Sequence, residues 1–496
     1  MPEARCARGW LALALGVLVF AGLFSLVVVI GRMPPFDRLV TDPLFFKRGL
    51  VAHVNLALVA WFYSFLAALL FLLPVRRAPG WFSRHSVHLG AAGVAMMLVA
   101  AGMPGAQPVL SNYIPMIDHW LFGTGQLTFA AGVLASFAVR LLPGQQDLRP
   151  SFYPLPGASD AGLRAAAFAL LLATVTFLFS WWKLPTGVST QVHYELLVWG
   201  TGHVLQLACS VAMVAVWIAL LKSALGRSPV SRPAARILFA AMVAPWLFSP
   251  LLAVQGSWTA SYRVGFTQLM QWSIFPVVSI FLILCMTALH RAWRDGRIDA
   301  GALADPRISG FLVSAGLTLL GFVLGASIRG SNTMVPAHYH ASIGGVTVAF
   351  MTITYVLLGA FGFSIATPRL RRAAAWQPLV YGVGQMIFAC GFALAGAYGM
   401  SRKAYGAEQA GRGLAESIGL GIMGMGGLLA VVGGLLFLGV AFVIWRRGAE
   451  TDPQHLDQQH PDQLHPDQKQ EAPFTEATWR YQWAREIRIA SIRSRS

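Results

Sequence analysis

The chain has 496 residues, 56% hydrophobic and 11% charged, with a mean hydropathy of +0.60. A water-soluble domain carries about a quarter of its residues charged, so the composition excludes a soluble globular protein. The formal net charge of +17 sits in loops and tails, where it reports topology and contact with lipid headgroups, not nucleic acid.

An apolar run of about 20 residues is long enough to cross a bilayer as a helix. About twelve such runs are predicted, over 9–31, 46–74, 85–104, 113–142, 162–182, 190–221, 233–255, 264–290, 308–328, 334–364, 376–400 and 416–445. The expected fold class is therefore an all-α polytopic membrane protein, with residues 1–447 forming one membrane-embedded domain. The run from about Trp10 to Ile30 reads as a true span and not as a cleaved leader. The longest runs, such as 113–142, require tilt or extension beyond the bilayer.

The loops give an orientation. Arg76, Arg77 and Arg84 follow the second run, and Arg140 and Arg149 the fourth. Lys222, Arg227, Arg232 and Arg236 follow the sixth, and Arg291, Arg294, Arg297 and Arg307 the eighth. Arg369, Arg371 and Arg372 follow the tenth, and Arg446 and Arg447 the twelfth. Lys183, Arg263 and Arg329 are nearly alone in the alternate loops; the first loop, with Arg32, Arg38, Lys47 and Arg48, is an exception. The positive-inside rule then puts both termini in the cytoplasm. Residues 448–496 repeat His-Pro-Asp-Gln around His455, His460 and His465 and read as a polar, partly disordered cytoplasmic tail.

The four cysteines, Cys6, Cys209, Cys285 and Cys390, are widely spaced and form no C-x-x-C. This excludes covalent attachment of c-type haem and any evident cysteine metal centre. The histidines are more informative. His338 and His340 open the tenth run, His53 lies in the second and His203 in the sixth. Two positions apart on a helix is about 200°, so His338 and His340 point to nearly opposite faces. Haem iron takes imidazole as an axial ligand, and one helix wedged between two haems needs this spacing. The alternative is packing histidines hydrogen-bonded to helix neighbours. His53 and His340 fall at similar depth and His203 somewhat deeper; four histidines in one half of the membrane, in spans running the same way, point instead to a functional layer, because polar groups inside a membrane are costly. His88, His119 and His193 lie near span ends and are set aside, although His193 and Glu195 are near enough to line an access path.

This pattern resembles subunit I of the haem-copper oxidase superfamily over roughly residues 9–445. The resemblance rests on His53 in the second span, Gly202-His203 after Trp199 in the sixth, and the His-x-His opening the tenth. Val109-Leu-Ser-Asn-Tyr-Ile-Pro-Met116 and Asn332-Thr-Met-Val-Pro-Ala-His-Tyr-His340 look closest to B-type oxidases. His53-Val-Asn-Leu-Ala-Leu-Val-Ala-Trp61 is similar to nitric-oxide reductases and C-type oxidases. The resemblance implies two haems of unspecified type. His53 and His340 would hold the low-spin haem iron, and His338 the high-spin haem iron where a gas reacts. Gly399-Met-Ser-Arg402-Lys403 resembles the family's Gly-Met-Pro-Arg-Arg, whose basic pair meets haem propionates.

The chain also departs from the family. The family's copper takes three histidines, and only His203 matches; Gln255-Gly256 stand where a His-His pair belongs. Leu207 replaces a tyrosine four residues past His203, and no intramembrane Lys or carboxylate marks a cytoplasmic proton path. A site of His203 with Gln206, Gln255 or water suits copper poorly, so copper is not expected and His203 becomes a distal hydrogen-bond donor to bound gas. The implied activity is electron transfer from a cytochrome or quinol donor, through a partner subunit, to dioxygen in a bacterial inner (plasma) membrane. The alternatives are a nitric-oxide reductase-like enzyme and a non-catalytic haem gas sensor or electron relay.

Overall fold

The computed structural model describes residues 2–73, 80–137, 155, 157–363, 365, 367–402 and 412–448. Arg76, Arg77, Arg140, Arg149, Lys403 and the tail from 449 lie outside the described residues. Among those described, twelve helices are long and apolar enough to cross a membrane. They are α1 (Pro2–Ile30), α2 (Pro43–Leu70), α3 (Trp81–Gly102), α4 (Trp120–Phe137), α5 (Gly157–Trp182) and α6 (Thr190–Leu225). There follow α7 (Arg232–Val254), α8 (Ala260–Arg294), α9 (Pro306–Ala326), α10 (Met334–Ala360), α11 (Pro368–Ala397) and α12 (Leu414–Arg446).

Helices carry these runs because a bilayer offers the backbone no water, so each segment must satisfy its own N–H and C=O groups. Several starts are written locally. Asp42, Asp305 and Thr367 each precede a proline and accept a backbone N–H from the first turn, at 2.8, 2.9 and 3.3 Å. Proline is at home there, since its missing N–H would be unsatisfied anyway. The fourth helix begins at Trp120, later than the start of the run 113–142. Residues 116–118 form a strand, β2 (Met116–Asp118), antiparallel to β1 (Gln107–Val109), with Pro108 opposite Ile117. This hairpin caps one end of the bundle.

Burial grades the helices. In the most apolar window, 83% of residues are buried in α6 and in α10, 67% in α2 and 61% in α9, against 22% in α1. The three histidine helices are therefore the most enclosed of the bundle. Exposed Trp81, Trp120, Trp181, Trp182 and Trp293 cluster at helix ends, as expected for aromatic side chains at a membrane–water interface.

Glycines set the closest helix pairs. Gly391, Gly419 and Gly426 bring α11 and α12 into backbone contact; a Cβ on Gly419 would sit 2.6 Å from Ala395 N. Membrane helices have no hydrophobic drive toward one another, so such close packing is what joins them. Replacing Gly426 by Leu should lower thermal stability in detergent by about 1–3 kcal/mol, the usual range for overpacking. Gly421, with nothing within 4 Å of its Cβ position, is the control. Equal melting of Gly421→Leu and Gly426→Leu would refute this packing.

Candidate functional site

The connection into α10 and the hairpin of β1 and β2 lie at the same end of the bundle as the histidines. The segment before α10 is sewn to the end of α11: Thr333 N donates to Met400 O at 2.9 Å, and Asn332 Nδ2 to Gly396 O at 3.0 Å. This fixes where the His-x-His begins.

His338 and His340 leave α10 on opposite sides. His338 turns toward α9, where its Nδ1 lies 2.7 Å from Gly321 O. A Cβ on Gly325 would come within 2.8 Å of that same nitrogen, so two α9 glycines form the seat of the ring. His340 turns toward α11, against Phe388 and Phe392 at 4.5 and 6.1 Å between ring centroids. Its ring makes no hydrogen bond among the described residues, and it lies within the electrostatic reach of His53 and Arg32. On α2, His53 Nδ1 is 3.0 Å from Ala21 O of α1. A carbonyl only accepts, so Nδ1 carries the proton in both His53 and His338. Their Nε2 lone pairs are left to bind something else.

Immediately after His53, α2 widens into a π-helical turn, Asn55–Ala60. Such turns are frequent at functional sites. Buried Asn55 donates to Val51 O at 2.9 Å and to Pro115 O at 2.7 Å, and accepts from Gln126 at 2.7 Å. The His53 helix is thereby tied to the hairpin loop.

His203 is buried and fully engaged. Its Nδ1 lies 2.8 Å from Trp199 O, and its Nε2 2.6 Å from the hydroxyl of Tyr113. The rings of Tyr113 and Trp199 both lie 4.1 Å from the imidazole. Tyr113 has φ +67°, the one described non-glycine residue with positive φ. Such a backbone costs of order 1–3 kcal/mol and marks a position held by its surroundings. Burial pushes the Tyr113 phenol well above its ordinary pKa; Glu195 adds to this and Arg402 opposes it. The hydroxyl therefore keeps its proton across the neutral range.

Glu195 meets Asn112 through both the Asn112 side chain and its backbone N–H, the latter at 2.7 Å. Arg402 donates to Asn112 Oδ1 at 2.8 Å, while its buried Nε has no partner. Arg32, also buried, donates to Arg402 O at 3.0 Å, and Arg48 donates twice to Ala106 O. This accounts for the first loop's exception to the charge pattern: two of its arginines hold carbonyls at the site instead of marking a side of the membrane.

Gln255 is exposed and accepts from Ser261 at 3.3 Å, while Gln206 Oε1 is buried without a partner. Among the described residues no group of three or more His, Cys, Asp or Glu could together hold a metal ion. His88 is exposed, and His119 Nδ1 accepts from Leu121 N at 3.2 Å at the start of α4. Sequence reasoning missed Arg32, Asn112, Tyr113, Gly321 and Gly325. Asn112 and Tyr113 lie inside the stretch 109–116 that carried part of the resemblance, and Arg32 stood out as a charge in the wrong loop.

No family model matches the chain. It is 24% identical to an uncharacterised protein of Rickettsia prowazekii, over 87% of this chain and 94% of that one. An uncharacterised Aquifex aeolicus protein is 26% identical, over 71% of this chain and 85% of that one. Cytochrome c oxidase subunit 1 of Thermus thermophilus is 25% identical, over 82% of this chain and 78% of that one. A haem-copper terminal oxidase dimer solved by cryo-electron microscopy superposes with a TM-score of 0.61 at 16% identity, covering 91% of this chain and 85% of that chain. The chain thus has the fold of haem-copper oxidase subunit I, with weak sequence similarity to cytochrome c oxidase subunit 1 and twelve helices long and apolar enough to cross a membrane among the described residues.

Proposed function

We propose that this chain is the membrane subunit of an oxidoreductase that takes electrons from a cytochrome or quinol, through a partner subunit, and delivers them to dioxygen. In this reading His53 and His340 hold a low-spin haem iron, and His338 a high-spin haem iron. The carrying observation is the pairing of each donor with a backbone carbonyl: Ala21 O behind His53 and Gly321 O behind His338. Metal-ligating imidazoles almost always donate their other N–H in this way, which fixes tautomer and ring plane. The residues therefore fit haem, and the haem-copper oxidase fold implies it.

Bound haem would supply one-electron and dioxygen chemistry. The chain's own part is positioning. Ala21 and Gly321 orient the imidazoles, and Phe388 and Phe392 wall the His340 ring. Arg402, with a buried unpartnered Nε, presents positive charge for an anionic edge of the cofactor such as a carboxylate. Lys403, the next residue in the sequence, is proposed for the same role. The arginine-rich connections at the opposite end favour cytoplasmic termini in a bacterial plasma membrane, which puts the histidine layer toward the outer face.

The closed hydrogen bonding of His203 favours a second reading, in which the chain binds a gas or relays electrons without turnover. Purification with haem quantification, followed by dioxygen and nitric-oxide consumption under a reducing donor, tests both. Two haems per chain with dioxygen consumption is the expected result. Preferential nitric-oxide consumption would replace the substrate, two haems without turnover would favour the second reading, and absence of haem would refute both.

A further inference from the structure

The fold family implies a copper beside the high-spin iron, and the residues present do not fit one. We infer that Tyr113 occupies the second-metal position: its hydroxyl closes the one histidine that remains there, so the chain carries a phenol–imidazole pair in place of a metal. The inference stands on the surroundings of His203 and does not depend on haem occupancy.

A neutral imidazole has one N–H and one lone pair. In His203 the N–H is spent on Trp199 O, which can only accept. The lone pair at Nε2 therefore receives the Tyr113 O–H, at 2.6 Å. A metal at Nε2 would have to displace that hydroxyl, and little would compensate. Gln255 is exposed and accepts from Ser261. The buried amide oxygen of Gln206 is a weak donor for copper, which favours several nitrogen ligands in defined geometry.

Tyr113 is also built into its place. Its neighbour Asn112 is gripped by Glu195 on one side and Arg402 on the other. Ser111 Oγ donates to Ile114 O at 2.7 Å, and Asn55 donates to Pro115 O at 2.7 Å. The left-handed backbone at Tyr113 is thus braced from both sides. Gly202 completes the fit, because a Cβ there would overlap Tyr113 Cβ. The hydroxyl also lies 3.9 Å from Met270 Sδ, and Trp199 and Phe266 cover the imidazole with centroids 4.1 and 5.5 Å away.

The test uses the purified full-length protein, with copper as the probe. Wild type and His203→Ala are incubated with copper, passed through a desalting column and assayed for metal. Both should retain the same background amount. Tyr113→Phe removes one oxygen atom and frees Nε2, so copper affinity should rise about tenfold, equivalent to ~1.4 kcal/mol. The double variant Tyr113→Phe/His203→Ala should lose that gain. Gly202→Ala, which pushes Tyr113 aside, gives a second route to the same gain should Tyr113→Phe fail to fold. One copper per chain in wild type, lost in His203→Ala, would overturn the inference, as would folded Tyr113→Phe and Gly202→Ala proteins without added copper. A protein lacking haem, yet showing no difference between wild type and His203→Ala and a gain in Tyr113→Phe, would refute the proposed function and leave this inference standing.

Discussion

His53→Ala is expected to abolish the low-spin haem signal and leave a carbon-monoxide-binding haem, so that total haem falls by about half. In the proposed assignment the two axial donors of that haem come from different helices, His53 from α2 and His340 from α10. His53 is oriented by Ala21 O at 3.0 Å, and His340 lies across from it against Phe388. In that assignment, removing His53 takes away one of the two iron ligands, and Ala21 O loses the imidazole while keeping its place in the hydrogen-bond ladder of α1. Loss of one such hydrogen bond costs about 0.5–1.5 kcal/mol, small enough for a twelve-helix bundle to remain folded. His340→Ala should give the same spectrum if, as proposed, the two imidazoles serve one iron. His338→Ala should give the converse, with low-spin bands kept and carbon-monoxide binding lost. Absorbance spectra of reduced and carbon-monoxide-treated protein distinguish the three variants. A full low-spin signal in His53→Ala would remove the assignment.

Gly325→Val should disable the other haem without touching a ligand. The new Cβ would fall 2.8 Å from His338 Nδ1, inside normal contact distance, and its methyl groups would reach further. The ring must rotate, and its hydrogen bond to Gly321 O at 2.7 Å must break. Displacement of a reacting group by about 1 Å can cost ~100-fold in rate, and that is the expected loss of gas turnover. The low-spin bands should survive, since His53 and His340 are seated on α1 and α11 and not on α9. Gly330→Val is the control, because nothing lies within 4 Å of a Cβ there. Turnover and carbon-monoxide binding at wild-type level in Gly325→Val would mean that His338 is not held where the structure puts it.

The twelve spans and the opposed faces of His338 and His340 were legible in the chain, because both depend on local rules. A membrane segment must satisfy its own backbone, so hydropathy alone marks each helix. Two residues on one helix keep a known angle whatever packs around them. The boundary of the fourth helix was not legible in hydropathy. Residues 113–119 are apolar enough to extend it, yet β2 pairs with β1 and Asn55 holds Pro115 from another helix.

The contacts that define the site come from residues far apart in the chain. Tyr113 reaches His203 across 90 positions, Arg402 reaches Asn112 across 290, and Arg32 reaches Arg402 across 370. No spacing rule connects such residues. Composition identified a membrane protein, and histidine spacing singled out the layer proposed to hold its chemistry. Only the packed bundle decided that Arg32 turns inward, that Gly321 and Gly325 make room for His338, and that a tyrosine hydroxyl stands at His203. These are choices among side-chain partners, made when helices meet. The energy that settles them lies in long-range hydrogen bonds and close contacts, which hydropathy and periodicity do not encode.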